Sequence, residues 1–199
     1  MLKKSNESGA TAQKIDQFIG FDARVPAFTL KNEQFDVIEN AVVTAARYEY
    51  RAREGSDWTA VDPEKYYGLS AKVKKNIEAS VTMTFADGKI ARLTFNLGSR
   101  LGATIAGGLF EMAVGQPVTL KCGAMAKGTA FAGADGKDVV LEADIVWASL
   151  YQNGEKIRIS VPDTRKVTAR DRDDYAVAAI AGLAKKLGSN SPDPLDAIS

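Results

Sequence analysis

Apolar and polar side chains alternate with a period of two along much of this chain, the mark of strands buried on one face. The alternation is clearest in two runs, Ile145-Val146-Trp147-Ala148-Ser149-Leu150-Tyr151 and Lys156-Ile157-Arg158-Ile159-Ser160-Val161, joined by Gln152-Asn153-Gly154-Glu155. An Asn-Gly pair between β-rich runs predicts a type I′ turn, because both residues accept the positive φ which that turn needs twice. The expectation is a hairpin within residues 140–161. A two-residue turn sets Tyr151 opposite Lys156, Leu150 opposite Ile157, Ser149 opposite Arg158, Trp147 opposite Ser160 and Val146 opposite Val161. One face then carries Val146, Ala148, Leu150, Ile157, Ile159 and Val161 and reads as core. The other carries Trp147, Ser149, Tyr151, Lys156, Arg158 and Ser160. Glu142 and Asp144 would fall on the core face, so the strand either bulges near Asp144 or leaves the core there.

A second hairpin is expected around Asp87-Gly88, with Val81, Met83 and Phe85 before it and residues 90–95 after it. A strict two-residue turn pairs Met83 with Arg92, and a longer loop pairs Met83 with Leu93. Between the hairpins, Leu101, Ile105, Leu109 and Met112 form an apolar stripe at helical spacing behind a Ser99 cap. Gly107-Gly108 weakens that helix by about 1 kcal/mol per glycine and lets it approach a sheet or bound backbone. Residues 118–122 resume as a strand. A last helix starts after Thr168, presents Val177, Ile180, Ala184 and Leu187 on one face, and stops at Gly188. Its small residues, Ala176, Ala178, Ala179, Ala181 and Gly182, permit close packing on the core or on a second subunit. Earlier, residues 15–30 read as short extended pieces. Residues 32–46 fit a helix capped by Asn32 as well as a strand, and Asp62-Pro63-Glu64 opens a short helix. Residues 1–14 read as a mobile arm, 15–187 as one α+β domain, and 188–199 as a mobile tail. The fold class expected is α+β: a twisted antiparallel sheet with peripheral helices and a C-terminal helix. A closed or half-closed barrel of the OB type is one way of hiding its edges.

Composition narrows the chemistry. There is no histidine, which removes the usual general base and the commonest zinc ligand. One cysteine, Cys122, excludes an internal disulfide and fits a reducing cytoplasm. No stretch approaches the roughly 20 apolar residues of a membrane helix. The net charge is only +1, but residues 88–170 hold eleven lysines and arginines against seven acids. Lys127-Gly128-Thr129 tempts a phosphate-loop reading, yet its order is wrong for one. No catalysis and no cofactor is implied.

Rings and cations on one strand face suit single-stranded nucleic acid, where bases stack on aromatics and phosphates meet Lys or Arg. Trp147 and Tyr151 are the first candidates for stacking, with Lys156 and Arg158 for phosphates. A second cluster holds Arg47, Arg51 and Arg53 on one strand face, Tyr48 and Tyr50 on the other, and Trp58 beyond. A third candidate group is Lys72, Lys74 and Lys75 beside Tyr66-Tyr67.

The run Phe95-Asn96-Leu97 … Gly115-Gln116-Pro117-Val118-Thr119-Leu120 … Leu150-Tyr151-Gln152-Asn153-Gly154-Glu155-Lys156-Ile157 resembles phage-encoded single-stranded-DNA-binding proteins over residues 78–161. That resemblance implies sequence-tolerant binding of displaced single strands during replication or transcription in a host cytoplasm, and an acidic tail that recruits protein partners; Asp193 and Asp196 would stand for the tail here, and a homo-oligomer is expected from the small-residue face of the last helix. The rival from another class is a structural or protein-interaction subunit assembling through the last helix. An enzyme built on Asp171-Arg172-Asp173-Asp174 is a third, although that cluster reads better as a solvated helix start.

Overall fold

The computed structural model describes residues 15–132, 137–159 and 168–188. The arm over residues 1–14, the turn at Ala134-Asp135-Gly136, the strand end at Ser160 and Val161, and the tail beyond Gly188 lie outside them.

The extended pieces expected early in the chain are β1 (Gln17–Asp22) and β2 (Ala27–Leu30). A short β3 (Glu33–Phe35) folds back on β2 through Lys31 and Asn32, whose φ angles of 49° and 71° make a two-residue left-handed turn. Asn32 thus turns a hairpin and caps no helix. The segment legible either way is strand: β4 spans Val37–Glu54. Its β-branched and aromatic residues favour the pleated surface, and Ala41, Val43, Ala46, Tyr50 and Ala52 are buried along one side. A positive φ at Asn40 (51°) and register shifts at Ile38/Ala41 and Val43/Ala45 bend it. Its first part pairs with one strand and its second part with another.

β5 (Asp57–Ala60) returns along the end of β4. α1 (Pro63–Gly68) begins as expected, with the Asp62 carboxylate accepting from the Lys65 N–H at 2.7 Å. A turn at Ser70 leads into β6 (Lys74–Thr84), which pairs with β7 (Ile90–Asn96). Neither expected register of this hairpin holds: Met83 faces Ala91 and Val81 faces Leu93, one residue from the strict-turn register and two from the longer-loop one. The loop is three residues, closed by Phe85 N–H to Lys89 O with Gly88 at φ 80°. That loop type keeps the right-handed twist with one left-handed glycine, and it keeps Arg92 off the core side.

α2 (Arg100–Glu111) is capped by Ser99, whose Oγ accepts from Gly102 N–H at 2.9 Å. Leu101, Ile105, Leu109 and Met112 are all buried, as their spacing requires. β8 (Val118–Met125) follows, then a small hairpin of β9 (Ala130–Ala132) and β10 (Asp138–Val140). β11 (Ile145–Gln152) and β12 (Glu155–Lys156) form the hairpin predicted first, and α3 (Ala169–Lys186) closes the described chain behind a Thr168/Asp171 capping box.

Ten strands form one sheet in the order β12-β11-β8-β4-β6-β7-β1-β2-β3, with β5 beside β4. All pairs are antiparallel except β1 with β7, which is parallel. The ends, β12 and β3, do not pair among the described residues, so the sheet is not a closed barrel. The two edge strands have two and three residues, too few to carry a closing ladder, and short edges limit unwanted pairing by themselves.

The helices cover one side of the sheet. α2 lies on β11 and α3 on α2 and β4. A Cβ at Gly108 would stand 2.6 Å from Leu150 Cδ1, and one at Gly182 would stand 2.5 Å from the Phe110 ring. The glycines therefore set the close approach of α2 to the sheet and of α3 to α2. Ala176, Ala179 and Ala184 are buried as well. Much of the small-residue surface that could have served a second subunit is thus used within the chain.

Candidate nucleic-acid interface

The turn at the centre of the sequence reading forms as expected. Asn153 and Gly154 have φ of 54° and 81°, Tyr151 faces Lys156, and Gln152 faces Glu155. The Ile157 N–H donates to Leu150 O at 2.8 Å. Beyond that point the return strand leaves the ladder. Among the described residues the pairing expected for Ser149 with Arg158 does not form, and those of Trp147 with Ser160 and Val146 with Val161 fall outside the described residues; on its other edge β11 pairs with β8, with Ser149 facing Lys121 and Trp147 facing Gly123. The strand begins only at Ile145. Asp144 lies outside it and accepts from the Lys127 N–H at 2.7 Å, which resolves the break in alternation as an exit from the core.

The hairpin tip is tied down. The Gln152 amide accepts from Ala113 N–H at 2.8 Å and donates to Ala113 O at 3.0 Å, while Asn153 Nδ2 donates to Gln116 Oε1 at 3.0 Å. The loop after α2 thereby holds the tip and fixes where Tyr151 and Lys156 stand.

Toward the helices, Leu150 is fully buried, with Ala148, Ile157 and Ile159 packed against the core. Val146 is a correction: it is 37% exposed, because β11 has passed the end of the core there. The opposite face carries Thr119, Lys121 and Gly123 from β8 beside Tyr151, Ser149 and Trp147 from β11. Trp147 and Tyr151 are half-buried, and Lys121, Lys156 and Arg158 are exposed. Ser149 is buried at 4% exposure, so the smallest of these side chains forms the floor between the two rings rather than an exposed hydroxyl. A Cβ at Gly123 would sit 2.9 Å from the indole, which lies across the glycine backbone. Lys121 Nζ stands 5.3 Å from the Tyr151 ring centroid, a cation–π distance. Among the described residues, Lys121, Lys156 and Arg158 form no ion pair with a carboxylate.

The second cluster divides as its alternation predicts. Arg47, Arg51 and Arg53 point away from the helices, and Tyr48 and Tyr50 toward them. Tyr50 is 6% exposed and stands 5.1 Å from Tyr66 and 6.0 Å from Tyr67 between ring centroids. It belongs to the core and offers no face to a base, which removes it from the stacking candidates. Tyr48 packs half-buried against the same group, 6.1 Å from Tyr50. Burial raises the pKa of Tyr50 and Tyr67 and pushes Tyr66 up to about 12, so these rings stay neutral. Arg51 is held by Glu78 at 2.9 Å and donates to Trp58 O at 3.4 Å. Arg47 stands 4.0 Å from Glu49. Arg53 is opposite Trp58 on one side and Lys74 on the other. Of the three lysines, Lys72 is exposed in the Ser70 turn. Lys74 is exposed at the start of β6. Lys75 donates to Tyr66 O at 3.3 Å, with Nζ 5.0 Å from that ring. The lysines therefore do not form one grip, since alternation along β6 parts Lys74 from Lys75.

The acidic helix start contains a surprise. Asp171 caps α3 and Asp174 is exposed, but Asp173 is 9% exposed. One of its oxygens has no hydrogen-bond partner, and burial raises its pKa, against the pull of Arg172 at 3.8 Å. Among the described residues, no group of three acidic, cysteine or histidine side chains is placed to hold a metal, and no helix is long and apolar enough to cross a membrane.

Two features of these surfaces escaped the sequence reading. Lys121 was legible in principle, since Val118-Thr119-Leu120-Lys121-Cys122 alternates and puts Thr119 and Lys121 together once β8 pairs with β11. The exposed Phe18 beside Arg92 was not, because it arises from a parallel pairing of distant segments. No protein-family model, no curated protein and no solved structure matches this chain.

Proposed function

We propose that the protein binds single-stranded nucleic acid, DNA first of all, without strong sequence preference, as an accessory to replication or transcription. One observation carries this reading. Trp147 and Tyr151 lie on a sheet face to which β8, β11 and β12 contribute charged groups of one sign, Lys121 and Lys156 with the exposed Arg158 beyond, and among the described residues none of the three has a carboxylate partner. Half-buried rings have already lost much of their rotamer freedom, so a stacked base costs little further ordering. Unpaired cations lose no ion pair when a phosphate arrives, and they release the strand's counterions. The long bent β4 shared between β6 and β8, with α2 between β7 and β8, supports reading the framework as a half-open barrel of the OB type.

The test is fluorescence anisotropy with labelled single-stranded DNA, single-stranded RNA and duplex DNA at low and high salt. The reading expects single strands to bind more tightly than duplex, with affinity falling as salt rises. Equal binding of duplex, or none of any form, refutes it.

A further inference from the structure

We infer that the strand path continues onto a second contact on the same side of the sheet, at Phe18 and Arg92, where one base stacks on the phenyl ring and the guanidinium meets the adjoining phosphate. This rests on the reading of the Trp147 face as a single-strand platform. Phe18 lies on β1 directly opposite Arg92 on β7. It is 63% exposed, the most open of the large apolar side chains described. The Arg92 guanidinium carbon stands 5.8 Å from its ring centroid. In the neighbouring row of the sheet, Arg47, Ser80 and Thr94 face the same way, and these residues with Phe18 and Arg92 line a cavity of about 150 Å³.

Charge selects the occupant. Two acids, Glu49 and Glu78, line the same cavity, and both face an arginine, Glu78 at 2.9 Å from Arg51 and Glu49 at 4.0 Å from Arg47, which leaves three cations, Arg47, Arg51 and Arg92, against two acids. Arg92 has no carboxylate among the described residues, so the surplus is cationic and an anionic chain with stackable rings satisfies both groups at once. Position agrees. Val37, opposite Lys121, and Arg47, opposite Ser80, both lie on the side of β4 away from the helices. The ten residue steps from one to the other span at most about 33 Å along β4. Trp147 on β11 and Phe18 on β1 are moreover five strands apart in the sheet, about 24 Å at the usual strand spacing, so a short oligonucleotide is expected to reach one contact and a longer one both.

The experiment compares Phe18→Ala, Arg92→Gln and Trp147→Ala with the unaltered full chain, using oligothymidylates of four and of about sixteen nucleotides, the range covered by one such domain. Phe18 is exposed, so its removal leaves the fold intact, checked by circular dichroism. The expected result is that Phe18→Ala weakens the long oligomer roughly 5- to 150-fold, with Arg92→Gln weakening it in the same direction. Trp147→Ala should weaken both lengths. Unchanged affinity for the long oligomer in Phe18→Ala and Arg92→Gln overturns the second contact while leaving the first standing. A change in oligomeric state without a change in affinity marks the patch as a subunit interface and overturns it too. If the unaltered chain binds neither length, the platform itself fails.

Discussion

At the scale of single residues, burial separates the aromatic side chains that can meet a ligand from those that cannot. Tyr50, Tyr66 and Tyr67 are one packed group against β4 and α1, whereas Trp147 and Tyr151 keep part of their surface in solvent. Replacing Trp147 or Tyr151 by alanine should each cost about 1–3 kcal/mol of single-strand affinity, measured by anisotropy. Tyr50→Ala should lower the melting temperature instead. Gly123→Ala should displace the indole, because the new methyl would meet it at 2.9 Å; the check is a shift in Trp147 fluorescence in a Trp58→Phe background. Asp173 gives a pH signature. Its folded pKa lies above the unfolded one, so its ionised form is penalised on folding. That penalty is in full force above the folded pKa and fades as pH falls to the unfolded value. Asp173→Asn should therefore raise the melting temperature at neutral pH, and the gain should shrink on acidification. A gain independent of pH contradicts the assignment. Burial also pushes the Cys122 thiol up to about 11, which agrees with a packing role for it. Sequence alone could divide Arg47 from Tyr48 by alternation. It could not show that Ser149 is buried between two rings or that Asp173 is buried at a charged helix start, because both depend on neighbours from distant elements.

At the scale of elements, local turn chemistry was legible wherever one strong signal stood alone. Asn153-Gly154 set the hairpin register, Asp62-Pro63 and Ser99 set helix starts, and Gly188 set a helix end. Asp87-Gly88 misled by one residue, since the same pair serves two- and three-residue loops. Lys31-Asn32 went unread as a hairpin turn because lysine rarely takes positive φ. The extent of β12 was also hidden. Its two residues reflect Ile159 turning toward α2, where it lies against Gly107 and Gly108. That packing yields an element-scale prediction. Gly108→Val gains little helix propensity but drives two methyl groups into Leu150 and Ile159, so overpacking of about 1–3 kcal/mol should win, read as a lower denaturant midpoint. Gln152→Ala should cost about 1 kcal/mol through its bonds to Ala113. It should also weaken single-strand binding, because the tip positions Tyr151 and Lys156.

At the scale of the whole molecule, a sheet bent along β4 carries its helices on one side, and on the other, among the described residues, cations without a carboxylate partner stand near half-buried rings at one end and Phe18 with Arg92 further along. The parallel β1–β7 pair and the open sheet order leave no local trace in the sequence, because pairing partners far apart in the chain are chosen by tertiary packing. The fold class was therefore legible while barrel closure was not. The claim on which the account depends is electrostatic and is tested most directly by the salt slope of single-strand binding. If Lys121, Lys156 and Arg158 each meet a phosphate, changing all three to glutamine should flatten the slope of log K against log salt by about 2. The same slope and the same affinity in the triple variant would contradict a nucleic-acid platform on this face.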